Sequence, residues 1–313
     1  MKKEYTALDL YNLETVKIPK LLDPFFQTVG LASLVGTSDS GKSTFLRQLS
    51  LSIVLDLGEF LGYKLNGIHN KVIYVSTEDD SNAVSYSIRK QIESIKIDKL
   101  SEDDLGNLKN LEFIFDTNEL HKNLSDKLKK EPVDLIIIDA FTDVFTKEIN
   151  ANTQVRQFLN SYDVLAKQNN CLIIFLHHIG KRQTKYTPSK DSIIGSQAFE
   201  AKMRVVLELR PGKDKKHTDL WVLKSNFLEK KQKEKSVILE FTDNLIFKNT
   251  GIRGGKKVGS KSSNSDMNNK VMELREKGLS LRKIEEELKD TEYKVSKSTV
   301  GLIIQNNETP NKN

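Results

Sequence analysis

The sequence has little of what would make it secreted, membrane-bound or metal-stapled. Cysteine occurs once in 313 residues, as Cys171. A single thiol closes no disulfide framework and builds no cysteine-based zinc site within one chain. It lies in an apolar strand pattern, where a small core residue is the expected reading. No apolar run is long enough to span a bilayer, and the longest, around 172–176, is strand-sized. The opening MKKEYTALDL has no apolar stretch of the kind a secretory signal needs. These absences together predict a cytoplasmic protein with no membrane partner. Acidic residues are the minority charge, 43 against 49 lysines and arginines, for a net charge of +6. That excess suits a nucleic-acid partner. The basic residues crowd 181–190, 210–216, 230–235 and 253–261. At this length the chain can bury a large core and still carry an appendage.

What is present centres on residues 36–44, GTSDSGKST. The short apolar run 31–35 (LASLV) precedes it and a helical apolar pattern follows. Strand, glycine loop and helix with the spacing G-x-x-x-x-G-K-[ST] predict a phosphate-binding loop. Gly36 and Gly41 allow the backbone to turn and approach a polyphosphate without a Cβ in the way. The amides of Thr37, Ser38, Asp39, Ser40 and Thr44 and the helix N-terminus then point at negative charge. Lys42 can reach the β- and γ-phosphates, and Ser43 can ligate Mg²⁺. The expected ligands are ATP and Mg²⁺.

Residues 1–30 read as an irregular lead-in broken by Pro19 and Pro24, with Leu21, Leu22, Phe25 and Phe26 packing it onto the core. Further strands are predicted at 72–77 (VIYVST), 112–116 (EFIFD), 133–139 (VDLIIID) and 171–177 (CLIIFLH), with helical patterns between them. Gly58 and Gly62 are read as ending the helix after the loop. Alternating strands and helices predict an α/β fold with a mainly parallel sheet. The runs 204–210, 219–227 and 236–241, joined by charged turns, are expected as an antiparallel extension of that sheet. Residues 251–265, rich in Gly, Ser and Lys, read as a flexible linker. The expected organisation is an ATPase domain at 1–250, this linker, and a small helical domain at 266–313 that ends in a polar tail.

Three strand ends carry candidate chemistry. Asp139 closes an apolar strand, where a carboxylate beside the loop can hold the Mg²⁺ shell through water. Glu78 closes 72–77, where it can orient or deprotonate the attacking water. Asp79 and Asp80 compete for that role or cap the next helix. His177 and His178 close 171–177 and have no metal-ligand cluster around them. A strand-end polar residue there suits a γ-phosphate sensor, and a histidine satisfied by backbone is the alternative for His177.

The order GTSDSGKST, VIYVSTEDD, LIIIDAFTDVF, INANTQVRQFL, FLHHIGK, DSIIGSQAFEAKMRVVLEL and KSNF resembles the RecA-type ATPases of the AAA family, the group of the hexameric plasmid replicative helicase RepA. The resemblance covers residues 15–245 or so. It implies a RecA-type P-loop NTPase core, with Lys42 and Ser43 on phosphate and Mg²⁺. It makes Asp139 the Walker B carboxylate, Glu78 the catalytic glutamate and His178 the γ-phosphate sensor. It further implies Arg204 as a finger reaching a neighbouring subunit's nucleotide, with Lys224 as a second candidate, in a homo-oligomeric ring of six. Ile194 and Gln197 depart from the family pattern, which has an arginine and a small residue there. Similar ATPases place a DNA-contacting loop at 181–190, where Lys181, Arg182, Lys185 and Lys190 can track phosphates and Tyr186 can stack on a base. A plain basic loop is the alternative.

The phrase ELREKGLSLRKIEEEL…VSKSTV resembles resolvase-type helix-turn-helix segments, with Lys297, Ser298 and Thr299 facing duplex DNA. Residues 289–294 make the turn longer than usual, and a protein-binding three-helix module is the alternative. The leading functional expectation is an ATP-driven, ring-forming DNA motor, a helicase of a plasmid or other mobile element. A DNA-binding regulator switched by ATP, and a recombination-mediator ATPase, are the rivals.

Overall fold

The structure, a computed structural model, describes residues 4–308 except 16, 97–99, 150, 181–187, 190–192, 194–196, 213, 215, 256–259, 290, 292 and 294. The chain divides into two compact units, Met1–Gly255 and Lys256–Asn313.

The first unit opens with α1 (Ala7–Tyr11), β1 (Lys20–Leu22) and β2 (Phe26–Gln27). The lead-in thus contains a capped helical turn and a small hairpin, where only irregular chain is expected from the sequence. Then follow β3 (Gly30–Gly36), α2 (Lys42–Val54), the hairpin β4 (Glu59–Phe60) and β5 (Tyr63–Lys64), β6 (Val72–Ser76) and α3 (Ser81–Ile95). Next come α4 (Glu102–Leu108), β7 (Leu111–Ile114), α5 (Leu120–Lys130), β8 (Leu135–Asp139), α6 (Phe141–Val144) and α7 (Asn152–Gln168). The unit ends with β9 (Leu172–His178), α8 (Gln197–Lys202), β10 (Val205–Pro211), β11 (His217–Ser225), α9 (Lys230–Lys233), β12 (Lys235–Phe241) and β13 (Phe247–Gly255).

Nine strands form one sheet in the order β13-β12-β11-β10-β3-β9-β8-β6-β7. The strands from β10 to β7 pair in parallel, and β11, β12 and β13 add antiparallel. The parallel strands are apolar on both faces because helices cover both. Leu34, Tyr74, Ile137 and Ile174 face one core with α2, and Val35, Val75, Ile138 and Phe175 face the other with α5, α7 and α8.

Three expectations need correction. The run at 204–210 does not begin the antiparallel part: β10 lies parallel to β3, with Val205 opposite Ala32. The antiparallel part starts one strand later, because the charged turn after Pro211 is a tight one and a short turn can only reverse direction. Gly58 and Gly62 do not end the helix, which stops at Val54. Their positive φ values, +70° and +74°, shape the β4–β5 hairpin. Residues 251–255 are not linker but the end of β13, paired with β12. Gly254 is what allows it, since a Cβ there would come within 2.3 Å of the Ser236 hydroxyl.

The second unit packs α10 (Ser260–Glu276), α11 (Leu281–Leu288) and α12 (Lys297–Glu308) around Val271, Ile284, Leu288, Val295, Val300, Ile303 and Ile304. Residues 260–265, expected in the linker, belong to α10. The α11–α12 connection exceeds the short turn of a standard helix-turn-helix. Among the described residues no helix is long and apolar enough to cross a membrane.

Candidate functional site: a phosphate loop and three strand ends

The parallel register brings the expected residues to one end of the sheet. Gly36 of β3 is opposite His178 of β9, and Ser76 of β6 is opposite Asp139 of β8. Ligands of open α/β sheets bind at the carboxyl ends of strands, and all the cis candidates lie there.

The loop between β3 and α2 is compact. Ser40 donates its hydroxyl to the Thr37 carbonyl at 2.8 Å, and Lys42 Nζ donates to the same oxygen at 2.6 Å. Ser38 and Asp39 are exposed, and Thr37, Ser43 and Thr44 are half-buried. Gly36 admits no side chain, since a Cβ would meet the Leu209 carbonyl oxygen at 2.5 Å. Lys42 is buried. Burial pushes its ammonium below the ordinary lysine range, against the pull of Asp139, Glu78 and Asp39. A partly desolvated ammonium facing the loop is suited to a polyphosphate, whose negative charge favours the charged form.

Asp139 is 2% exposed. The Tyr74 hydroxyl donates to its Oδ2 at 2.6 Å. Burial pushes the carboxyl up, opposed by Tyr74, by the nearby Ser43 hydroxyl and by Arg47. Its Oδ1 is buried and has no hydrogen-bond partner. A buried carboxylate oxygen left open beside Ser43 fits Mg²⁺ held directly or through water. Burial and the Asp139 charge push the Tyr74 phenol well up, so it stays a donor. The end of β8 is further fixed by Thr77. Its hydroxyl donates to the Asp139 carbonyl at 2.8 Å and accepts from the Ala140 N–H at 3.0 Å.

The three acidic residues after β6 have separate partners. Asp80 caps α3 by accepting from the Ala83 N–H at 2.8 Å. Asp79 forms an ion pair with Arg47. Glu78 faces His178, with Oε1 3.4 Å from Nε2. His177 is fully buried against Phe141 and Phe199, at 5.1 and 4.6 Å between ring centroids.

Arg204 and Lys224 lie elsewhere. The Arg204 N–H donates to the Leu31 carbonyl at 2.8 Å, and its side chain is exposed. Leu31 is five residues from Gly36 along β3, about 17 Å at strand rise. Lys224 donates to the Glu200 carbonyl at 2.8 Å and pairs with its carboxylate at 3.1 Å. Neither cation meets the loop of its own chain.

Lys181, Arg182, Lys185, Tyr186, Lys190 and Ile194 lie outside the described residues. In the second unit, Lys297, Ser298 and Thr299 form the first turn of α12, with Lys297 and Ser298 exposed. The Ser296 hydroxyl lies 2.9 Å from those of Ser298 and Thr299, and the Lys297 N–H donates to Glu285 at 3.0 Å.

The sequence does not single out Tyr74 or Arg47. The available signal is a phenol in the apolar run of β6 and a guanidinium between the apolar positions of α2.

Residues 7–184, more than half of the chain, match the family described as AAA domain. The chain belongs to that family. This AAA ATPase is 26% identical to the DNA repair protein RadA of Rickettsia conorii over 192 residues, 58% of the chain. The match spans only 37% of the length of RadA. Among solved structures, an isolated ATPase domain matches with a TM-score of 0.56 at 14% identity, over 77% of this chain and 95% of that one. That likeness concerns the fold, which is the RecA-type P-loop core.

Proposed function

We propose that this AAA ATPase is a Mg²⁺-dependent, ring-forming motor acting on DNA, a replicative helicase of a plasmid or other mobile element. The observation that carries the reading is the division of the site. Loop, Asp139, Glu78 and His178 gather at one end of the sheet, and the exposed Arg204 sits at the other. A cation out of reach of its own nucleotide suits a neighbour's, where it stabilises transition-state charge only after assembly. Arg204 is the better finger, because Lys224 is already held by Glu200. A ring of six is the assembly proposed.

Bound Mg²⁺ would neutralise charge on the β- and γ-phosphates. Ser43 and Asp139 would hold it, and Lys42 would bind the same oxygens. Water attacks the γ-phosphorus in line with the leaving oxygen, Glu78 takes the water's proton, and His178 contacts the γ-phosphate. The net charge of +6 and the likeness to a protein named for DNA repair support DNA as the partner. Lys181, Arg182, Lys185, Tyr186 and Lys190 would grip single strands, and the helical unit would meet duplex. Strand displacement on forked DNA tests this. Unwinding should be present, and Lys42→Ala and Glu78→Gln should each abolish it. ATP turnover that single-stranded DNA fails to stimulate would count against a motor.

A second reading is favoured by the exposed first turn of α12. Here the ATPase switches the assembly of a sequence-specific DNA-binding regulator, with the recombination-mediator ATPase as a variant without unwinding. Turnover without strand displacement, with site-specific binding lost on removing residues 256–313, would select the regulator.

A further inference from the structure

Strand β6 carries a polar ring in a position buried on all sides. Tyr74 is fully buried, and its ring packs on Phe113 at 5.2 Å between centroids. Its hydroxyl donates to Asp139 Oδ2 at 2.6 Å and lies 3.4 Å from the Ser43 carbonyl oxygen. The one phenol therefore touches both residues proposed to hold the metal. Oδ2 is held by the phenol, and Oδ1 is the buried oxygen that carries no hydrogen bond.

The same ring meets a second buried group. The Arg47 guanidinium lies 5.8 Å from the Tyr74 ring centroid, within cation–π range. Arg47 belongs to α2, the helix that the phosphate loop feeds, and is itself buried. It ion-pairs with Asp79, the residue next to Glu78. A continuous line of contacts thus runs from Asp139 on β8, through Tyr74 on β6 and Arg47 on α2, to the turn that presents Glu78. The Tyr74–Asp139 hydrogen bond is buried, where such bonds strengthen, and partners behind a metal ligand set its orientation.

We propose that Tyr74 and Arg47 are positioning residues that tie the metal carboxylate Asp139 to the Glu78–Asp79 turn, so that one frame, buried from Asp139 to Arg47, sets both metal seating and base placement. This deepens the ATPase reading and rests on it. Tyr74 orients the open oxygen of Asp139. Arg47 transmits that placement to Asp79 and fixes where Glu78 starts.

The test uses the full chain and fluorescent ADP, titrated with and without Mg²⁺, alongside ATP turnover. Tyr74→Phe removes the hydroxyl and keeps the ring that packs on Phe113 and under Arg47. It should cut the Mg²⁺ enhancement of ADP affinity about tenfold, the effect typical of losing an outer partner, and leave metal-free affinity unchanged. Asp79→Asn should lower kcat about tenfold at unchanged nucleotide affinity. The double variant should fall no further in kcat than the worse single one, because both break the same frame. An unchanged Mg²⁺ enhancement in Tyr74→Phe would overturn the proposal, as would equal losses with and without metal. Fully multiplicative effects on kcat would also overturn it. A wild-type chain that binds MgADP no better than ADP and turns over no ATP would refute the ATPase reading itself, and the proposal with it.

Discussion

Nε2 of His178 lies 3.4 Å from Oε1 of Glu78, and the two side chains meet across the end of the strand that carries Asp139. β9 and β6 are not neighbours; β8 runs between them. The contact therefore spans the end of β8, and His178 lies opposite Gly36, where the phosphate loop begins. A γ-phosphate arriving at His178 would compete for the imidazole and leave Glu78 free to take a proton from water.

Glu78→Gln keeps the shape of this contact and removes the carboxylate proposed as the base. Turnover should fall by about 10²–10⁴, the range for losing a general base, with ATP binding retained. His178→Ala should lower turnover less and flatten discrimination between ATP and ADP. Steady-state kinetics and equilibrium binding on the two variants separate these outcomes. Equal losses of binding and turnover in Glu78→Gln would sink its assignment as the base.

The burial of Asp139 gives a pH dependence with a definite sign. Burial pushes this carboxyl above the ordinary aspartate range, and metal binding needs it ionised. The acidic limb of the ATPase profile should therefore lie at higher pH than a solvent-exposed carboxylate would give. Raising Mg²⁺ should move that limb to lower pH, because metal and proton compete for one oxygen. A limb indifferent to Mg²⁺ would mean that Asp139 does not titrate with the metal.

Most of the frame is legible in the sequence because it is local. The loop is contiguous, and Asp139, Glu78 and His178 each end an apolar run, so alternation of strand and helix suffices to place them. What is not legible depends on pairing. β10 lies parallel to β3 only because the crossover from β9 through α8 returns it to the same direction, and 204–210 alone does not reveal that. β13 hides in a Gly- and Lys-rich stretch because glycine there serves close strand approach to Ser236, not flexibility. Arg47 and Asp79 are 32 positions apart, and no spacing rule joins them.

Asp134 shows how the same sheet is secured away from the chemistry. Its buried carboxylate accepts from the backbone N–H groups of Ile68, His69 and Asn70 at 3.0, 2.9 and 2.7 Å. These close the turn that leads into β6. Asp134→Ala removes the shared charged acceptor of three backbone donors and should cost about 3 kcal/mol, in the range for hydrogen bonds to a charged group. Asp134→Asn should cost less, since one amide oxygen can still accept. Urea denaturation with unchanged slope would check both values.

Gly41 supports the sharpest prediction about the loop. Its φ is +82°, a left-handed conformation that costs any other residue about 1–2 kcal/mol. A Cβ there would also come within 2.7 Å of the Phe247 ring. That ring cannot simply retreat. Phe247 packs edge-on against Phe45 at 5.6 Å, and Gln48 clamps its backbone, accepting from its N–H at 2.7 Å and donating to its carbonyl at 3.0 Å. The first residue of the outermost strand thus supports the phosphate loop from behind. Gly41→Ala should abolish nucleotide binding while leaving the fold intact, since the strain falls on the loop. Adding Phe247→Leu relieves the contact but not the backbone cost, so it should restore only part of the affinity. Full restoration by Phe247→Leu would show that the clash alone explains the glycine. No restoration would assign the whole effect to the left-handed backbone.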